Sequence, residues 1–365
     1  MLNSRKMRFY FSLSICFSLV SNSFGQGFQT ILEKELNENL PGISVCIQSA
    51  DEEFSWTGAA GFADQESKSA LRSDQTFRIA SVTKTYVAAG ILRLMEKGYL
   101  SLEDPISKHI SPEQAEILSE DYDLDQITIR QTLRHSAGFF DHTNAPNFFK
   151  TILEKPDHQW TRTSQIRLGV EQGDPVGAPG KQFSYSDMGY VILGGIIEKY
   201  TNKSLDAGLK ELLGLEELGL DRTDFEGEDA LTDQLRIHQY FQGMDTFGWS
   251  PTIDYYGGGG FLSTTCELVD FFQALFQGKV FENHETLNIM LEPVRYPEKA
   301  SMNYQMGMYQ VEIHGMKAYT HTGFWGTQVL FIPEKNLFMA ANYSSVWRGG
   351  AVAPIFEKLL EEMAD

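Results

Sequence analysis

Clusters of basic residues are missing from this chain of 365 residues. Asp and Glu number 49 against 30 Lys and Arg, a formal charge of -19, and no basic run occurs after residue 8. Binding a nucleic-acid backbone needs Lys and Arg gathered on one surface, so the composition excludes that partner class. Cysteine is scarce too, with only Cys16, Cys46 and Cys266. The eight His are scattered, no Cys or His pair has ligand spacing, and no metal site is expected. Past the N-terminal segment, no apolar run is long enough to span a bilayer. There is no internal repeat. The only low-complexity stretch, Gly257 to Gly260, lacks the following G-K-[ST] of a phosphate loop and reads as a tight turn. Apolar, charged and aromatic fractions are those of an ordinary globular protein, of a length that suits one large domain or two subdomains sharing a core.

At the N-terminus, Arg5, Lys6 and Arg8 precede an apolar run from Phe9 to Val20, and Ser23-x-Gly25 offers small residues for cleavage. This pattern predicts a secretory signal peptide over residues 1–25 and an exported protein, periplasmic or extracellular. A membrane anchor would need a longer run. Ile15 before Cys16 is not the small residue that lipoprotein processing prefers. The expected mature chain therefore has no integral membrane segment. It keeps Cys46 and Cys266, which an oxidising compartment permits to pair and which equally suit two buried thiols.

Two strands are expected early, with Ile43, Val45 and Ile47 alternating against Ser44, Cys46 and Gln48, then Phe54 to Phe62. Three are expected late: Met306 to Ile313, Lys317 to Ile332, and Leu337 to Tyr343 after the turn at residues 333–336. Between them the pattern is helical, including Val82 to Lys97 ending at Gly98, and Tyr190 to Tyr200. Thr264 and Glu267 fit a capping box. Near the C-terminus Ile355, Phe356, Leu359, Leu360 and Met363 share one helical face, expected to pack on the sheet. This order predicts an α/β (α+β) fold, an antiparallel sheet flanked by helices with a helical subdomain beside it. The expected division is 26–90 with 290–365 for the sheet-containing subdomain, and 91–289 for the mainly helical one.

In FRIASVTKTY, Ser81 and Lys84 lie one helical turn apart. A chain of this length contains about one S-x-x-K by chance, and an N-cap serine beside a solvated lysine explains the pair equally well. A helix start also favours an alkoxide and an oxyanion, and burial would let Lys84 act as a base. Two more segments add weight: Tyr185-Ser186-Asp187 within APGKQFSYSDMGY, and His321-Thr322-Gly323 within AYTHTGFWGT. The ordered set resembles the S-x-x-K, Y-x-N and K-T-G signature of the serine hydrolases that include class C β-lactamases, DD-peptidases and related esterases. The resemblance covers nearly the whole mature chain, with SLEDPISKHI, ITIRQTLRHSAGF and GGGGFLSTTCELVDFF as matching flanks.

The resemblance implies a β-lactamase/transpeptidase-like fold and a penicillin-binding-protein-like hydrolase with no metal or organic cofactor. Ser81 would be the acylated nucleophile, and Lys84 and Tyr185 would share the acid and base work. The backbone N–H groups of Ser81 and Phe324 would form the oxyanion hole. Asp187, His321, Thr322 and Gly323 would bind substrate, a small molecule or peptide. Two departures stand out. Asp187 replaces an Asn that can donate a hydrogen bond, and His321 replaces a Lys that helps hold a substrate carboxylate. Weak β-lactam capture follows, with ester or amide substrates bearing an apolar acyl part favoured. A D-alanyl-D-alanine carboxypeptidase or D-amino-acid peptidase is the alternative, and a non-catalytic binding protein of the same fold is a further one. Phe139, Phe140, Tyr255, Tyr256 and Trp325 are candidates for an apolar acyl pocket or for core, while His135 and His142 read as structural. Oligomeric state and natural substrate are not written in the sequence.

Overall fold

The computed structural model describes residues 25–227, 235–297, 300–346 and 352–364. The signal-peptide expectation falls almost wholly on residues outside these.

The chain enters through helix α1 (residues 25–35). It then forms β1 (Gly42–Ser49), β2 (Ser55–Asp64), β3 (Ser69–Ala70) and β4 (Phe77–Arg78). Helices follow: α2 (Thr83–Glu96), α3 (Pro112–Leu118), α4 (Ile129–Leu133), α5 (Pro146–Glu154), α6 (Arg162–Gln172), α7 (Asp187–Thr201) and α8 (Leu205–Leu213). Short strands β5 (Asp224–Phe225), β6 (Tyr240–Phe241), β7 (Met244–Asp245) and β8 (Phe261–Ser263) lead to α9 (Thr265–Phe276) and α10 (Glu285–Met290). The chain returns to the sheet with β9 (Asn303–Tyr304), β10 (Tyr309–Ile313), β11 (Met316–Gly323), β12 (Thr327–Ile332) and β13 (Leu337–Tyr343), then ends on α11 (Pro354–Glu362).

Eight strands form one antiparallel sheet in the order β3-β2-β1-β13-β12-β11-β10-β9, so the early and late strands meet where β1 pairs β13. The alternation in β1 has a different outcome from a half-exposed strand, because Ile43 to Ile47 are all buried. Helices cover both faces. Phe28 and Leu32 of α1 and Ile355, Phe356 and Leu359 of α11 pack with Ile43, Val45, Leu330 and Met339 on one side, as expected for the terminal helix. On the other side α9 packs on β1, β12 and β13. A disulfide between Cys46 of β1 and Cys266 of α9 joins these layers, which resolves the pairing the sequence left open. The buried apolar length of α2 packs against α7 and α8.

Two expectations are corrected. Lys317 to Ile332 is not one strand: the chain reverses through Phe324-Trp325-Gly326, with Gly326 at φ +87°, to make β11 and β12. Thr264 does cap α9, accepting from the Glu267 N–H at 3.2 Å, but Glu267 does not reach back. Its carboxylate instead accepts from Arg222 N–H at 2.8 Å and Thr223 Oγ1 at 2.6 Å, tying the approach to β5 onto α9.

Candidate active site

Phe77 and Arg78 pair with β8, after which Ala80 takes the left-handed conformation at φ +47°. A residue with a Cβ held there is strained by roughly 1–3 kcal/mol. The strain is contained by a 3₁₀ turn over Ala80–Val82 that runs directly into α2. Ser81 is not a cap, since neither the turn nor α2 has a side-chain cap bond. Its Oγ accepts from Lys84 Nζ at 2.9 Å. The capping explanation of FRIASVTKTY therefore fails on geometry.

Lys84 is fully buried, donates to the Gly258 carbonyl at 2.6 Å and is ion-paired with Asp187 Oδ1. The glycine run is thus part of the site wall. A Cβ on Gly258 would lie 3.2 Å from Asp187 Oδ1, and one on Gly259 would lie 2.6 Å from Asp254 Oδ2. Asp187 opens α7 at its N-terminus, where a carboxylate is favoured by the macrodipole.

Tyr185 sits 5.0 Å from Lys84 Nζ, measured to the ring centroid. Burial, with Asp187 as a second cause, pushes its phenol well above the ordinary value, so Tyr185 is a proton donor at rest and not a phenolate. His135, read from the sequence as structural, fixes this tyrosine from three directions. Its ring lies on the Tyr185 ring at 4.1 Å between centroids, its Nδ1 accepts from Ser186 N–H at 3.1 Å, and its carbonyl accepts from Ser184 N–H at 2.8 Å. Burial and the Lys84 charge push His135 well below its usual value, leaving Nδ1 free to accept.

On the opposite wall, the β10 ladder along β11 ends at Thr320, so residues 321–323 continue beyond it. His321 is buried, with Nε2 3.1 Å from Tyr304 Oη and Nδ1 2.8 Å from the Thr322 carbonyl; burial and Lys84 hold it down to about 3. It is neutral. Thr322 Oγ1 accepts from Tyr309 Oη at 3.0 Å. Gly323 has a cause other than substrate approach: a Cβ there would overlap the Ile79 carbonyl, so glycine lets β11 close on the Ser81 turn. That approach brings Phe324 to the same cavity as Ser81.

The cavity holds about 260 Å³ and is lined by Ser81, Asp187, Gly258 and Phe324 together with Phe148, Phe149, Val191, Ile253 and Trp325. Of the aromatics singled out in the sequence, Trp325 lines it, while Phe139 packs in the core against Tyr122. Phe148 and Phe149 were not anticipated; their only sequence signal is the apolar face of α5. Two more carboxylates lie close by. Burial pushes Asp254 up to about 6, and burial with Asp187 pushes Asp141 up to about 7. Among the described residues, no group of His, Cys, Asp or Glu could hold a metal ion.

Residues 28–348 match the family described as Beta-lactamase. The chain belongs to the beta-lactamase family. It is therefore a serine hydrolase of the β-lactamase fold. The probable fimbrial assembly protein FimD, serogroup H1, of Dichelobacter nodosus is 28% identical over 212 residues, 56% of this chain and 50% of that protein. The family member described here spans about half the length of that curated relative. Among solved structures, a D-stereospecific amidohydrolase from Streptomyces sp. superposes with TM-score 0.78 at 24% identity, covering 92% of this chain and 97% of the other. The D-amino acid amidase from Ochrobactrum anthropi SV3 gives 0.77 at 21% identity, covering 94% and 99%. At these identities the likeness is one of fold.

Proposed function

We propose that this beta-lactamase family member cleaves ester or amide bonds through an acyl-enzyme on Ser81. The observation that carries the reading is the hydrogen bond from buried Lys84 Nζ to Ser81 Oγ at the mouth of an apolar cavity, with the same Nζ 5.0 Å from the Tyr185 ring centroid. Acylation starts from molecules in which the Lys84 ammonium has first released a proton to water; Ser81 Oγ then adds to the substrate carbonyl and the Lys84 amine takes the hydroxyl proton. The backbone N–H groups of Ser81 and Phe324 are the donors for the oxyanion; losing such a donor costs about 100- to 1,000-fold. As the adduct collapses, Tyr185 gives its proton to the leaving oxygen or nitrogen and is reprotonated by Lys84. Asp187 balances the charge that Lys84 gains. Water then releases the acyl group by the same transfers in reverse.

A neutral His321 and a site lined by Asp187 and Asp254 offer no attraction to a substrate carboxylate, which supports weak β-lactam hydrolysis. The second reading is a D-amino-acid amidase or peptidase, favoured by the fold neighbours that act on D-substrates. Export is part of the proposal, supported by the N-terminal pattern and by the Cys46–Cys266 disulfide, which suits an oxidising compartment.

The test compares parent protein and Ser81→Ala on a fluorophosphonate, an ester panel, a D-amino-acid amide, a D-Ala-D-Ala peptide and a penicillin. A covalent adduct on Ser81 and turnover of esters or amides are expected. An unlabelled Ser81 in folded protein would mean a binding protein without chemistry, and turnover of the D-Ala-D-Ala peptide alone would mean a carboxypeptidase.

A further inference from the structure

The turn from β9 into β10 takes no part in the steps above, yet it touches α2, the Tyr185 ring and the end of β11. Thr85, next to Lys84 on α2, donates through Oγ1 to the Gly307 carbonyl at 2.6 Å. Gly307 sits at φ +75°, and a Cβ there would lie 2.7 Å from the Lys84 carbonyl, so glycine lets the turn press onto α2 at the base residue itself. At the two ends of this turn Tyr304 and Tyr309 face each other across the ladder. Tyr309 reaches Thr322 through its hydroxyl, as described above. Tyr304 reaches more.

The Tyr304 side chain is buried, with its ring edge-on to Tyr185 at 6.1 Å between centroids and 83° between planes. It also stands edge-on to His135 at 4.5 Å, and His135 lies on the Tyr185 ring, so the three rings form one packed cluster. The hydroxyl of Tyr304 faces the other wall. His321 Nδ1 lies 2.8 Å from the Thr322 carbonyl, an atom that can only accept, so Nδ1 carries the hydrogen of the neutral imidazole and Nε2 accepts. Tyr304 Oη, 3.1 Å from Nε2, is therefore the donor. A phenylalanine would fill the same space in the core. The hydroxyl is what packing alone does not require, and it gives a buried imidazole nitrogen its donor.

We propose that Tyr304 is a positioning residue for proton delivery by Tyr185: its ring fixes where the Tyr185 phenol stands, and its hydroxyl ties that stance to His321 on the strand leading to the Phe324 N–H. Proton donor and oxyanion donor then keep one spacing across the cleft. The proposal rests on the acyl-enzyme chemistry given above and adds a residue to it that touches neither substrate nor Ser81. Its effect belongs to one step. Tyr304 matters where a leaving group needs a proton in order to depart, and not where it departs unaided.

The probes are two esters of one acid, p-nitrophenyl butyrate, whose phenolate leaves without a proton, and ethyl butyrate, whose alkoxide does not. Tyr304→Leu is expected to lower kcat/KM on the ethyl ester by about 100-fold, as misplacement of a reacting group by an ångström does, and on the p-nitrophenyl ester by less than about 5-fold. Tyr304→Phe keeps the ring and loses the donor to His321, and should cost about 10-fold on the ethyl ester with the other again nearly unchanged. The ratio of the two esters is independent of how much of a variant folds. Equal losses on both esters, or a ratio unmoved by either substitution, overturns the proposal. A parent that cleaves the p-nitrophenyl ester alone delivers no proton for Tyr304 to aim, and overturns it too. Failure of both esters together with an unlabelled Ser81 would instead overturn the hydrolase reading beneath it.

Discussion

His135 holds another residue in place, and in the proposed mechanism that residue, Tyr185, is the one that reacts. Its ring, ring nitrogen and carbonyl hold Tyr185 and both of its neighbours, and it does so from a left-handed backbone at φ +53° that few residues other than Gly and Asn tolerate. Replacing it with Ala removes the stack and the acceptor for Ser186 N–H. His135→Ala is expected to lower kcat by about 100-fold with a smaller change in KM, as misplacement of a reacting group by an ångström does. His135→Asn, which suits the backbone and can still accept from Ser186, should recover part of the loss. A parallel fall in kcat with both variants and no change in thermal midpoint would contradict the aiming role. Asp254 belongs to the same scale. Its folded value of about 6 lies above the ordinary carboxylate range because burial opposes its ionisation. A group raised in this way contributes stability below its unfolded value, and that contribution is lost as pH rises through the folded value. Asp254→Asn should therefore match the parent near pH 4 and exceed it by roughly 1–3 kcal/mol near pH 8. Urea unfolding at the two pH values checks the sign.

At the scale of elements, the strained turn at Ala80 needs a rigid seat, and β4 supplies it. Arg78 donates to Glu226 through two nitrogens, Arg236 Nη2 lies 2.9 Å from Glu226 Oε1, and the Arg78 guanidinium lies 5.3 Å from the Trp325 ring centroid. Gln239 Nε2 donates to the carbonyls of Arg78 and Trp325, at 3.2 and 2.8 Å, so the nucleophile turn and the β11–β12 turn hang on one side chain. Glu226→Gln would leave two buried guanidinium groups without their carboxylate. Its expected effect is a loss of about 3–5 kcal/mol in unfolding free energy; a shift under about 1 kcal/mol would show that the triad contributes little. The sequence carried parts of this scale and not others. Ser81, Lys84 and Tyr185 were singled out by the resemblance of the ordered motif set, since one S-x-x-K is expected by chance, and the structure brings Lys84 Nζ to 2.9 Å from Ser81 Oγ. Strand β1 was legible through its alternating apolar residues and α2 through helical spacing, both local patterns. The break inside Lys317 to Ile332 was not, because a three-residue turn at 324–326 interrupts two apolar strands without a polar cluster. The part played by Arg78, Glu226 and Arg236 was invisible for another reason: charged residues far apart in sequence look solvated until the fold buries them.

For the whole molecule, the sheet is assembled from the two ends of the chain, with the helices that build the cavity inserted between them. The two-early, late-strand order was readable, and so was the helical insertion. The cavity wall was not, since Asp254, Gln165 and His142 come from three separate segments and only tertiary packing gathers them. The same topology has a consequence in time. Ile43 of β1 finds its partner at Tyr343, and the register runs on through Ser49 and Leu337. Contacts of such sequence separation are slow to form. On a ribosome, a nascent chain holding β1 and β2 has no β13 to pair with until residues 337–343 have been made. Until then one edge of β1 is an open template, which makes the young polypeptide dependent on holding factors for longer than a protein whose neighbouring strands follow one another.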